Sequence, residues 1–214
     1  MTGAVAATLV AMSTPRLLAS AVSWGPGSGP LAMNDPGGGG GYGTTFTINC
    51  YGIAGTSATW DAGTFTESYD QGAMPSISIA YKANSSGLQF ATATPAGTIV
   101  NKIGLSMRWR FVTAIEEIGT VATITGNGTL TIPGITATGT VLIAIIISED
   151  GAGMGTSPAS TTPTGFTSIV NGEASSGQLI NVSYKQITAG ATGDVTSAIT
   201  GATYVTGGIL MSIR

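Results

Sequence analysis

Residues 76–82 read Ser76-Ile77-Ser78-Ile79-Ala80-Tyr81-Lys82, and residues 179–185 read Leu179-Ile180-Asn181-Val182-Ser183-Tyr184-Lys185. In the first stretch Ile77, Ile79 and Tyr81 fall on one face, with Ser76, Ser78, Ala80 and Lys82 on the other. That two-residue period is the mark of a half-buried strand. Both stretches end in the same Tyr-Lys pair. Upstream of each lies a turn with a glycine, an aromatic ring and a threonine, Gly63-Thr64-Phe65-Thr66 and Gly165-Phe166-Thr167. Downstream, each is followed by an apolar strand ending Ser-x-Arg, Ile103-Gly104-Leu105-Ser106-Met107-Arg108 and Ile209-Leu210-Met211-Ser212-Ile213-Arg214. From Ser76 to Leu179 is 103 residues, and from Ile103 to Ile209 is 106. Landmarks recurring in one order at nearly one spacing predict an internal repeat. The expectation is an all-β chain of two tandem antiparallel β-sandwich domains, jelly-roll-like or Ig-like, related by duplication. Residues 1–112 form the first copy, with a Gly-rich loop insertion at 25–43, and residues 113–214 form the second.

Outward from these strands, the remaining pattern is short β segments with Gly, Pro and Asn punctuation, and no helix longer than two turns. Residues 44–53 alternate and are rich in β-branched side chains. Residues 140–148 form a continuous apolar run, as in a strand buried on both faces, and residues 17–24 read as its counterpart in the first copy. Residues 5–12 fit a strand or a short helix. The turn Gly126-Asn127-Gly128 predicts a hairpin between residues 120–125 and 129–132, and residues 113–119, with Glu116-Glu117, read as the boundary between copies.

Composition restricts the partners. The chain has 214 residues with 43% hydrophobic but only 8% charged ones, and a net charge of −3. Typical soluble domains carry about 25% charged residues, so a surface this poor in charge is weakly protected against association. It predicts that neighbouring subunits cover much of it. No basic stripe occurs, which argues against nucleic acid. No apolar run approaches the length of a membrane span, and the apolar residues near the start lack the basic flank of a signal peptide. The single cysteine, Cys50, excludes an intrachain disulfide and reads as a small strand hydrophobe. The five glycines at 37–41 lack the Lys-Ser/Thr that a phosphate loop requires and read as a surface loop.

Catalytic chemistry finds little purchase. There is no histidine, which removes the usual general base and excludes a Ser-His-Asp triad. Asp61, Glu67 and Asp70 stand close in sequence, and paired carboxylates can hydrolyse glycosides, yet the second copy has no matching set. Glu149-Asp150 lacks the spacing of a calcium loop. Lys82 and Lys185 read as edge-strand guards against aggregation. Arg108-Trp109-Arg110-Phe111 reads as a strand with one wet and one dry face, although an arginine beside an aromatic ring can also stack on a ligand. Sequons occur at Asn84, Asn127 and Asn181. No catalytic, cofactor-binding or metal-binding residue is assigned, no cofactor is expected, and the chain is not expected to be an enzyme.

One family brings these features together. Ile132-Pro133-Gly134, then Gly139-Thr140-Val141-Leu142, Pro163-Thr164-Gly165-Phe166-Thr167 and the Tyr184-Lys185 strand resemble a β-sandwich module of tailed-bacteriophage virion proteins. Members show Pro-Gly followed by Gly-Asp-Leu-Leu, a Pro-x-Gly-Trp-Thr turn and a Tyr-Lys strand. Here Thr140 stands in place of the aspartate and Phe166 in place of the tryptophan. The likeness is carried mostly by residues 129–214. In the first copy Trp60 and the Gly63-Thr64-Phe65 turn carry it. The resemblance implies a non-catalytic virion structural protein, of capsid-decoration, head-fibre or tail-accessory type. Its partners would be copies of itself, as a trimer or ring, and a major capsid or tail protein. The alternative is a module that binds host-surface glycans with Trp24, Trp60 or Trp109 as a stacking platform, in which case at least one tryptophan should be displayed in a groove.

Overall fold

The computed structural model describes residues 14–27, 29–37, 43–51, 58–60, 65–71, 75–85, 87–97, 101–148, 158–174, 177–202 and 205–214. The expectations for residues 5–12, for glycines 38–41, and for Asp61 and Glu149-Asp150 lie outside them. So does the side chain of Cys50. The chain is all-β. Its first half runs β1 (Arg16–Pro26), β2 (Leu31–Ala32), β3 (Gly43–Tyr51), β4 (Ala58–Trp60), β5 (Thr66–Gln71), β6 (Ser76–Ser85), β7 (Thr92–Pro95) and β8 (Asn101–Arg110). The second half opens with β9 (Ile115–Ile118), β10 (Ala122–Thr125), β11 (Gly128–Ile132), β12 (Thr136–Ala137) and β13 (Val141–Ser148). It continues through β14 (Ala159–Ser160), β15 (Thr167–Ala174), β16 (Gln178–Gln186), β17 (Gly190–Ala191), β18 (Val195–Thr200) and β19 (Val205–Ile213).

All strand pairs are antiparallel, and both halves order their strands alike. The first large sheet runs β1, β8, β3, β6, β5, and the second runs β10, β19, β13, β16, β15 with β9 also on β19. The small sheets follow suit, β2, β7, β4 in one half and β11, β18, β14 in the other. The match reaches the level of single residues. Thr66 faces Tyr81 and the register slips between Glu67 and Tyr69; Thr167 faces Tyr184 and the register slips between Ser168 and Val170. A second slip separates Leu17 from Ala19 against β8, and its counterpart lies where Ser212 and Ile213 meet Glu117 and Ile115. A bulge re-aims a strand, so two bulges at matching places give the two sheets the same bends.

The large sheets share one core. Ile77, Ile79, Ile103, Leu105, Met107 and Trp109 of the first half pack with Val141, Ile143, Ile145, Val182, Ile209 and Met211 of the second, all essentially inaccessible. On its other face each large sheet has a smaller core of its own. Leu31, Met33, Trp60, Phe65 and Ala93 fill one, and Leu130, Ile132, Leu142, Ile146, Val195 and Leu210 fill the other. β13 therefore has apolar residues on both faces and is buried throughout, as its continuous Val/Leu/Ile run requires. Gly208 lets β19 approach the second small sheet, because a Cβ there would stand 2.6 Å from Ile132.

Four expectations are corrected. β13 is central, and its positional counterpart is β3, not residues 17–24, which form the sheet-edge strand β1. Apolar content does not report position in a sheet when the edge strand is also poor in charge. The Ser-x-Arg endings are slipped by two residues. Phe46 and Ile143 both face the Tyr of the Tyr-Lys strand, and their other neighbours are Met107 and Met211. Arg108 thus corresponds to Ser212, and Arg110 to Arg214. A slip of two preserves which face each side chain occupies, so the alternation could not detect it. The turn at Asn127 does not close a hairpin, since β10 pairs with β19 while β11 pairs with β18 in another sheet. Finally, residues 25–43 are not simply a loop. β1 runs to Pro26 and β2 pairs with β7, burying Leu31 and Met33.

Candidate functional site

β5 and β9 lie on one flank of the two stacked large sheets. The cleft between them has a volume of about 490 Å³ and is lined by Thr66, Glu67, Ser68, Tyr69, Tyr81, Ile115, Glu116, Glu117 and Ile118. The bulges place this lining. At each one an extra residue breaks the alternation, so successive side chains such as Glu67 and Ser68, or Glu116 and Glu117, can serve one opening. Tyr69, Tyr81, Ile115 and Ile118 also rest against the shared core, which fixes the floor.

The cleft is acidic. Glu116 is held by Arg214 at 2.9 Å and accepts a hydrogen bond from the Thr138 hydroxyl at 2.9 Å. Glu67 and Glu117 have no ion-pair partner among the described residues. Partial burial, and then the neighbouring Asp70 charge, push the Glu67 carboxyl above its usual range. The same two causes, in the same order, raise the Tyr69 phenol. No group of three or more His, Cys, Asp or Glu residues among the described ones could hold a metal ion. The cleft offers carboxylate, hydroxyl and phenol oxygens beside two tyrosine rings, and no imidazole.

The two halves diverge at this cleft. By register, Glu67, Ser68 and Tyr69 correspond to Ser168, Ile169 and Val170, while Ile115, Glu116, Glu117 and Ile118 correspond to Leu17, Leu18, Ala19 and Ser20. None of these seven counterparts carries a charge. Sequence reading singled out Glu67 as one of a carboxylate group with Asp61 and Asp70, and treated Glu116-Glu117 as a boundary. The signal that joins them is the pair of bulges, which no sequence period reveals.

The other marked residues serve the scaffold. Lys82 stands 6.0 Å from the centre of the Phe65 ring, and Lys185 stands 4.7 Å from that of Phe166. Each repeated Tyr-Lys strand thus sets its lysine over the aromatic ring of its half's repeated turn, and since β6 and β16 each lie between two strands, neither lysine guards a sheet edge as expected. Arg108 is buried beside the first small core, bonded to Asp35 at 3.1 Å and to the Gly87 carbonyl at 2.7 Å. Asp35 also accepts from the backbone of Gly37 and Gln89. Trp109 is fully buried, and Trp60 donates its indole N–H to Ser78 at 2.7 Å. Asn181 is buried and bonded to Ser160, so that sequon is closed. Trp24 is 53% exposed on β1 and does not line the cleft.

The chain matches no protein-family model and no curated protein sequence. Among solved structures it is similar to HutD from Pseudomonas fluorescens SBW25, at 12% identity over 92% of this chain and 80% of that one, with a TM-score of 0.26. A likeness of that score carries no argument about activity.

Proposed function

We propose that this chain is a non-catalytic structural subunit of a tailed-phage virion, built on a duplicated β-sandwich and functioning as a member of an oligomer. One observation carries the assembly reading. Val22 and Trp24 lie in register with Leu105 and Ile103, two residues of the shared core, yet are 38% and 53% exposed. The core face of the first large sheet therefore continues onto an edge strand and stands uncovered there. An apolar strip of this kind suits a subunit contact. Asn34 caps part of the edge, donating from its side chain to the Val22 carbonyl at 2.8 Å. The remainder, from Arg16 to Ala21, has no strand partner on its outer side among the described residues. The virion location rests on the resemblance of the Pro163-Thr164-Gly165-Phe166-Thr167 turn and Tyr184-Lys185 strand alone.

Mass measurement in solution tests the oligomer, and mixing with empty capsids and with tails tests the location. A trimer or ring that binds either particle is the expected result. A stable monomer that binds neither overturns the reading. The cleft favours a second reading, in which its tyrosine rings and carboxylates hold a host-surface glycan. Titrating glycans while following the Tyr69 and Tyr81 ring resonances would discriminate, since a scaffold shows no saturable shift.

A further inference from the structure

We propose that Asn127 is a site of spontaneous modification, where the side-chain amide closes onto the Gly128 nitrogen and reopens as a carboxylate at the corner joining two sheets. Asn127 is exposed on the turn between β10 and β11, and Gly128 is the first residue of β11, at the end of its ladder with β18. Ladder ends open more readily than ladder centres. Gly128 carries no side chain to shield its nitrogen. The Asn127 Oδ1 accepts the Ala202 backbone N–H at 3.1 Å. That bond draws electron density away from Cγ, the atom to be attacked, and leaves Nδ2 as the group to depart.

The chemistry balances with water as the sole co-reactant. The Gly128 nitrogen bonds to Cγ, its proton leaves with Nδ2 as ammonia, and a five-membered succinimide results. Water then opens one of its two carbonyls, giving either aspartate or the iso form, whose backbone runs through the former side chain. The aspartate product still accepts the Ala202 N–H and adds one negative charge to a chain poor in charge. The iso product adds an atom to the backbone path of the turn that leads into β11, the strand that carries Leu130 and Ile132.

The chain contains its own comparison. Asn171-Gly172 has the same two residues, but it lies inside β15, in register with Asn181 and Ile180 of β16. Its side-chain nitrogen is held by the Ser160 carbonyl at 2.9 Å. Ring closure there must break an extended ladder, so the pair is protected by the fold and not by its sequence.

The test is to incubate the folded full chain at mildly alkaline pH and map its peptides by mass spectrometry, alongside a denatured sample. Asn127 is expected to convert at least roughly tenfold faster than Asn171 in the folded protein, a barrier difference of about 1.4 kcal/mol, with the two rates converging on denaturation. Asn127→Gln, which would need a less favourable six-membered ring, should abolish the modified product while the protein stays folded. Equal rates at the two sites in the folded chain overturn the proposal. So does an Asn127 that remains an amide while the denatured chain converts.

Discussion

Trp109 of the first half meets Tyr184 of the second edge to face, with ring centres 5.3 Å apart and planes at 90°. Trp109 sits in the shared core and the half-buried Tyr184 packs against it, so this contact joins the halves directly. Aromatic pairs in this geometry add about 0.5–1.5 kcal/mol beyond area burial, and truncating a buried tryptophan to alanine costs about 3–5 kcal/mol in all. Trp109→Ala should therefore destabilise both halves together, as a single unfolding transition displaced to lower denaturant. Two separate transitions, with only the first displaced, would show that the halves unfold independently.

The buried Arg108 and the largely buried Asp35, 12% exposed, form a pair that fastens the segment after β2 to β8. Breaking one partner of a buried pair leaves a charge without compensation, at a cost of about 3–5 kcal/mol. Asp35→Ala should reach that range, whereas the double variant Arg108→Met with Asp35→Ala should recover much of the loss. A chemical-denaturation cycle measures both. If the losses simply add, the pair contributes nothing through its contact.

Burial lowers the Lys102 ammonium below its ordinary 10.5. Its Nζ donates to the Gly29 carbonyl. Because the folded state holds this proton less tightly than the unfolded chain, the penalty is fully present below the folded pKa and fades as pH rises toward 10.5. Lys102→Met should be neutral or stabilising at neutral pH, and its advantage should shrink through the alkaline range. Thermal melts of both proteins across pH would expose an advantage that grows instead.

The Glu67 shift has the opposite sign of consequence. A carboxyl raised above 4.5 binds its proton more readily when folded, so relative to Glu67→Gln the parent gains stability as pH falls through the folded pKa toward 4.5. Side-chain resonances should titrate above the ordinary value. Asp70→Asn should move Glu67 part of the way back and no further, since burial is the larger cause. An unmoved Glu67 in that variant would remove Asp70 from the account.

The Tyr-Lys strands were readable because their landmarks survive as local sequence, and the structure adds why: each Lys sits over the aromatic ring of its half's Gly-aromatic-Thr turn. β13 was readable because the continuous apolar run at residues 140–148 predicts a strand buried on both faces, and it is buried throughout. What failed depended on position in space. Nothing in residues 17–24 says edge and nothing in 141–148 says centre. The turn at Asn127 has the composition of a hairpin but bends the chain between layers. Glu67 and Glu116 line one cleft although their strands lie far apart in sequence, and each stands at a bulge that no sequence period reveals.

The shared core has a consequence for either half taken alone. Cut between β8 and β9, either fragment would display a broad sheet of isoleucine, leucine and methionine to water, and its best cover would be another fragment of the same shape. Each half on its own should therefore pair with a second copy of itself. Within one chain the two flanks are free to differ, and carboxylates line only one of them.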